Sequence, residues 1–296
     1  VGRNPDTSIF GLWTVKQFVG QEELPDNDPA IVAFVTRILP RGIGRTRITQ
    51  DIVLNVTPAG NDTTGDGSLA RPFRQPTRAY NFLRDSVDGA GFNARIVLSN
   101  GGYAALLARG PCLGFSGPGA VRIIGNTADP QQVNCSSPAE TAITIRDGAG
   151  VILEGVMGAA AQPSGVGILC ENAHLVLGNT MHFVCGFAHM QIVGTGQIQA
   201  FGTQTIINSS TQHVLAEDGG KAWLNGCTYV LNGDLSFSTF ALGDAGALID
   251  FTNTTVTQNG FTTGKQYDMS TGATLRKGAL VLPGNLSGVA TTGYAI

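Results

Sequence analysis

The chain has 296 residues, a formal net charge of -3, 42% apolar residues and only 13% charged ones. That balance excludes a disordered polypeptide and lacks the basic patch of a nucleic-acid binder. No apolar run reaches the roughly 18 residues of a helical membrane span, and the segment from Val1 to Gly20 has no apolar core of a signal peptide.

Residues 1–50 are predicted to form an arm for attachment or oligomerisation. Asp28 precedes Pro29, a cap residue ahead of a proline at the first helical position. Ile31, Val32, Phe34, Val35, Ile38 and Leu39 then hold one apolar face until Pro40 ends it. One short amphipathic helix is expected, with a face that it cannot bury alone. Arg37, Arg41, Arg45 and Arg47 follow closely, as a solvated surface or a contact for an acidic partner.

Residues 51–93 are expected to start the body. Ile52, Leu54 and Val56 alternate as in a strand, and Gly60 to Ser68 is a polar turn cluster. A second short helix begins near Pro76, with Ala79, Phe82 and Leu83 on its apolar side. Stacked strands need such a cover, because an open end exposes unpaired edges.

From 94 to 275 the chain repeats by position. Turns begin at Asp147, Glu171, Gly194, Glu217 and Gly243, which are 24, 23, 23 and 26 residues apart. A strand precedes each turn, and Val97 and Val121 to Ile124 are assigned to the same place in earlier coils. A second strand follows, as in Val151-Ile152-Leu153 and Ala222-Trp223-Leu224. A third contains Phe183-Val184, Ile206-Ile207, Val230-Leu231 and Val256-Thr257. Three short strands in about 23 residues describe an all-β fold, a single-stranded right-handed parallel β-helix. A β-sandwich would not require turns in register. Ile145, Leu169, Ile192 and Leu215 are expected to point inward. Asn208, Asn232 and Asn259 are expected to form a ladder. Residues 276–296 lose the period and read as a C-terminal cap or intersubunit tail.

Two stretches carry a family resemblance. Asn55-Val56, Gly60-Asn61-Asp62, Gly65-Asp66-Gly67-Ser68 and Arg71-Pro72-Phe73 precede a helix and β-helix coils. This resembles the entry segment of the pectate-lyase-like superfamily, in the form found in bacteriophage tailspikes and tail fibres. Leu282-Pro283-Gly284-Asn285-Leu286-Ser287-Gly288, with Thr291-Thr292-Gly293-Tyr294, resembles the ends of such fibres. The resemblance covers about residues 51–296. It implies a homotrimer located in the virion, with the N-terminal arm docked to other virion proteins and host cell-surface polysaccharide as a partner. Some members cleave that polysaccharide.

No catalytic, metal or cofactor residue is assigned. Glu171, Glu217, Asp218 and Asp244 occupy equivalent turns, with Glu217 and Asp244 the better pair for a glycoside hydrolase or lyase. Asp is also an ordinary turn former. Neither Lys nor Arg occurs between Arg146 and Lys221, so a lyase lacks its base there. His174, His182, His189 and His213 have no metal spacing, although His189 and His213 are placed to stack on adjacent coils. Cys112, Cys135, Cys170, Cys185 and Cys227 fit no zinc pattern, and a Cys112–Cys135 disulfide stands beside free thiols as an alternative. Trp223 and Tyr229 are candidates for either a sugar platform or the core. The expected function is a fibre, spike or collar protein. The competing one is a polysaccharide depolymerase.

Overall fold

The computed structural model describes residues 44–296, apart from 116, 118, 119, 139, 161 and 180, and apart from the side chains of Met181 and His182. The arm helix expected at Asp28–Leu39 lies outside the described residues. The unit Arg47–Ile296 is a parallel β-solenoid built of three sheets with ten, seven and eight strands.

Sheet I begins with Ile52–Val56, Ala94–Leu98 and Val121–Ile124, and continues through Gly150–Glu154, His174–Leu177, Gln197–Ala200, Lys221–Trp223 and Leu248–Asp250. Sheet II runs from Gly101–Ala104 to Thr255–Asn259, and sheet III from Leu106–Arg109 to Val289–Ala290. The chain visits the sheets in the order I, II, III, and seven such circuits are complete. Parallel crossovers of L-residues wind right-handedly. The expected β-helix is therefore the observed architecture. One assignment changes: Val97 and Val121 to Ile124 belong with Val151 to Leu153 in sheet I, not with the strands before the turns.

Among the described residues the first coil has no coil beneath it, and the entry segment supplies its partners. Gly67 O accepts from Asn55 N, and Phe73 bonds both Asn55 O and Thr57 N, which closes the edge of sheet I. The helix Pro76–Ser86 (α1) closes the other two sheets. Gln75 Oε1 accepts from Ala104 N at 3.1 Å, and Thr77 Oγ1 accepts from Leu107 N at 2.9 Å. Arg84 Nη1 donates to Arg109 O at 2.9 Å, and Tyr80 Oη donates to Gly110 O at 2.7 Å. Ala79, Tyr80 and Leu83 form the buried side of α1. Each of these bonds occupies a backbone group that would otherwise template aggregation.

Between sheets III and I every coil turns through a left-handed residue, followed in four of them by a left-handed glycine, Gly148, Gly219, Gly246 or Gly272. Asp147, Asn172, Gly194, Asp218, Ala245 and Thr271 have φ between 47° and 66°, and they are in register over six coils. Asn, Asp and Gly tolerate that conformation best, which is why the sequence marks these turns so clearly.

The inward column of sheet III is Ile145, Cys170, Ile192 and Ala216. Leu169 and Leu215 stand one residue out of phase, in the outward column with Thr144 and Gln191. Leu169 is only half-buried, and Leu215 is buried although it faces out. The cause is a corner inside the strand. Ala142-Ile143, Gly167-Ile168, His189-Met190, His213-Val214 and Phe240-Ala241 are successive buried pairs. Neighbouring side chains of a straight strand take opposite faces, so two that enter the core in succession, as Ala142-Ile143 and Phe240-Ala241 do, require a bend. The asparagine ladder is likewise shorter than expected. Asn259 Nδ2 donates to Asn232 Oδ1 at 2.7 Å, whereas Ile206 pairs with Leu231 and so sets Asn208 level with Gly233.

The phase of sheet III can be checked by truncation. Ile192→Ala is expected to destabilise by about 2–5 kcal/mol through its cavity, and Leu169→Ala by about 1 kcal/mol or less. Denaturant unfolding of both variants measures the difference, and equal losses would refute the register.

Candidate functional site

The outer face of sheet I carries two parallel columns two residues apart. One runs Gly150, His174, Gln197, Lys221, Leu248 and Thr274. The other runs Ile152, Val176, Gln199, Trp223, Asp250 and Arg276. Adjacent members of a column are one strand spacing apart, about 4.8 Å.

In the second column Trp223 stands between an amide and a carboxylate. Its indole is half-buried, while Tyr229 on the same coil is fully buried in the core. Asp250 is only 6% exposed, and its Oδ1 accepts from both the backbone N–H and the hydroxyl of Thr252. Arg276 Nη1 lies 4.0 Å from Asp250 Oδ2. Lys221 is exposed on the strand of Trp223. The result is a half-buried indole bordered by Gln199, Arg276 and Lys221, with Asp250 buried beside it. A ring with an apolar face and rim hydroxyls can stack on that indole and bond to its border. Sequence reasoning found Trp223 but missed its neighbours. The available signal was position, since Gln199 and Asp250 sit 24 residues before and 27 after it.

The acidic turn residues are brought to one edge, one or two coils apart. Glu171 and Glu217 each pair with Val193, two strand spacings apart. Glu217 Oε2 accepts from Gln191 Nε2 at 2.9 Å, and Glu171 lies 3.9 Å from Arg146. Asp218 is one of the left-handed turn residues. Asp244 stands one coil from Glu217, since Asp244 N donates to Ala216 O. Hydrogen bonds from the Thr271 side chain, the Ala245 N–H and the Ser270 hydroxyl hold its carboxyl below the usual range. Asp147 is lowered too, first by Arg109 at 2.6 Å. A general acid needs the opposite displacement.

The other candidates resolve as structure. Cys135, Cys170, Cys185 and Cys227 are buried free thiols, and no disulfide joins Cys112 to Cys135. Among the described residues no group of three metal-binding side chains exists. His189 and His213 meet inside the solenoid, with Nδ1 atoms 3.0 Å apart, so one donates and the other accepts. Phe183, Phe237, Phe240 and Tyr229 surround them, and both Nε2 atoms are buried without a partner. Burial pulls His189 down to about 3 and His213 well below its ordinary value.

This pair makes the body acid-sensitive. Both imidazoles stay neutral in the folded state, while the unfolded chain takes up protons below about pH 6.5. Stability is therefore complete above about pH 6.5 and falls as pH drops towards 3, by up to about 2.7 kcal/mol per pH unit for the two rings. Thermal melting between pH 7.5 and 4.5 measures it, and a flat profile would refute it. The lowered carboxyls of Asp147 and Asp244 act in a more acidic window.

No family model, curated protein or solved structure matches this chain, so the functional reading rests on the parallel β-solenoid and on the side chains arrayed along its outer face.

Proposed function

We propose that this protein is a virion structural component, a fibre, spike or collar protein whose β-helical body attaches to host-surface glycan. The observation that carries the reading is the outward Trp223 plate between Gln199 and Asp250 on a rigid sheet. Side chains fixed on stacked strands bind with little loss of conformational freedom. The resemblance of the entry segment and the ending to bacteriophage spikes supports the virion setting. In that setting the arm of residues 1–50 docks to other virion proteins.

Trimerisation belongs to the same proposal. Exposed large apolar side chains gather in the last coils: Phe261, Val281, Leu286, Val289, Tyr294 and Ile296 are 43–70% exposed. Such surface favours burial against other copies. A depolymerase is the second reading, with Glu217 and Asp244 on adjacent coils as its pair; Asp244 is held below the usual carboxylate range and so does not suit the general-acid role.

Trp223→Ala is expected to weaken binding to purified host-surface polysaccharide by about tenfold or more, as loss of a central aromatic anchor does. Glu217→Gln and Asp244→Asn are expected to leave binding unchanged and to alter no product, because none forms. Chromatography of the incubated polymer checks this, and shortened chains that vanish in either variant would establish the depolymerase. Light scattering is expected to give about three times the 30.7 kDa chain mass, and a stable monomer would remove the trimer.

A further inference from the structure

A cavity of about 390 Å³ opens where the turns from sheet III enter sheet I. Its origin is legible in one column. Gly150, His174 and Gln197 are successive register partners, so a glycine stands where the next two coils carry an imidazole and an amide. The missing side chain leaves a hollow, and the segment after Gly110 roofs it. That segment is fastened by Gly110 N to Arg146 O, and by Leu113 O and Gly114 O accepting from Gly89 and Gly91.

The two walls differ in chemistry. Pro111 and Phe115 present apolar surface. Opposite them stand Asn172, His174 and Gln197. The His174 imidazole is wall rather than ligand, since its Nε2 is covered by protein and its side chain bonds Gln199. Asn172 Oδ1 is already occupied by the N–H and hydroxyl of Thr195, at 3.0 and 3.1 Å, which leaves its amide nitrogen as a donor. Among the described residues no Asp, Glu, Lys or Arg lines the cavity. An ion entering it would lose water and meet no counter-charge. The occupant must therefore be uncharged, with one apolar face and several hydroxyl or amide groups.

We infer that this cavity binds one neutral pyranose unit, with the ring's apolar face on Phe115 and its hydroxyls on Gln197 and Asn172. The inference rests on the glycan reading and deepens it by separating neutral from acidic sugars. Gln197 lies two residues before Gln199 on one strand, about 6.6 Å away. A single glycan can therefore engage the cavity and the Trp223 plate together.

Cys112 lines the same cavity and is half-buried, whereas the other four cysteines are at most 1% exposed. A thiol reagent on the folded full chain thus reports on the cavity alone. Neutral hexoses, 6-deoxyhexoses and N-acetylhexosamines are tested one by one, with glucuronate as the charged control. At least one neutral sugar is expected to slow Cys112 labelling about threefold at twice its Kd, by mass action. Glucuronate is expected to leave the rate unchanged. Gln197→Ala, verified as folded by circular dichroism, should remove the protection. Protection by glucuronate to the same degree, or protection that survives Gln197→Ala, overturns the assignment. Binding of intact polysaccharide is measured alongside. Polymer binding with no protection by any neutral sugar overturns the cavity alone, and absence of both overturns the glycan reading with it.

Discussion

Each coil of this protein rests on the backbone hydrogen bonds of the coil below, and nearly everything else follows from that pairing. Parallel strands in register place counterpart residues about 4.8 Å apart, so a position is a member of a column before it is a residue. Ile145, Cys170, Ile192 and Ala216 fill one interior column because a charged side chain there would have no water and no partner. His189 and His213 satisfy the same rule in another way. They enter as a stacked neutral pair that supplies its own hydrogen bond. On the outer face the rule acts in reverse: Gln199, Trp223, Asp250 and Arg276 form a continuous strip because nothing interrupts their alignment.

Stacking also creates a problem at the first coil, and the chain devotes its most distinctive sequence to solving it. The segment from Asn55 to Phe73 looks like a loop, yet it folds back to bond the first strand of sheet I. The helix that follows is placed by side chains as much as by its apolar face. Gln75, Thr77, Tyr80 and Arg84 each bond backbone of the first coil's other two strands or of Gly110 just after them. A motif of glycines and acidic turn formers is thus an edge seal. Its constraints come from hydrogen-bond geometry, which explains why it stands out from coils that repeat by position but not by identity.

The solenoid was legible in the sequence because its turns were. Asp147, Asn172, Gly194 and Asp218 adopt a backbone conformation that few residue types accept comfortably, so composition alone exposes the period. The inward phase was harder to read. A strand with a corner buries two neighbours in succession, and Leu215 is buried even on the outward column. Apolar character therefore no longer reports direction, and Leu169 and Leu215 were assigned inward where Cys170 and Ala216 belong. At the outer face Trp223 was visible as a rare residue. Gln199, Asp250 and Arg276 are common surface types, and only their register with Trp223 gives them significance. The cavity was invisible for the same reason: it depends on Gly150 being level with His174 and roofed by residues nearly forty positions earlier.

The ladder of left-handed turns has a consequence for length. All six coils that it covers enter sheet I through the same joint, whatever the residue there, from Asp147 to Thr271. A whole coil can be gained or lost between two such joints while the cross-section, and with it the girth of the shaft, stays constant. Height then changes in steps of about 4.8 Å per coil, like rungs on a gauge. A lineage carrying this architecture can set how far its two ends stand apart by gene duplication alone, without redesigning either end.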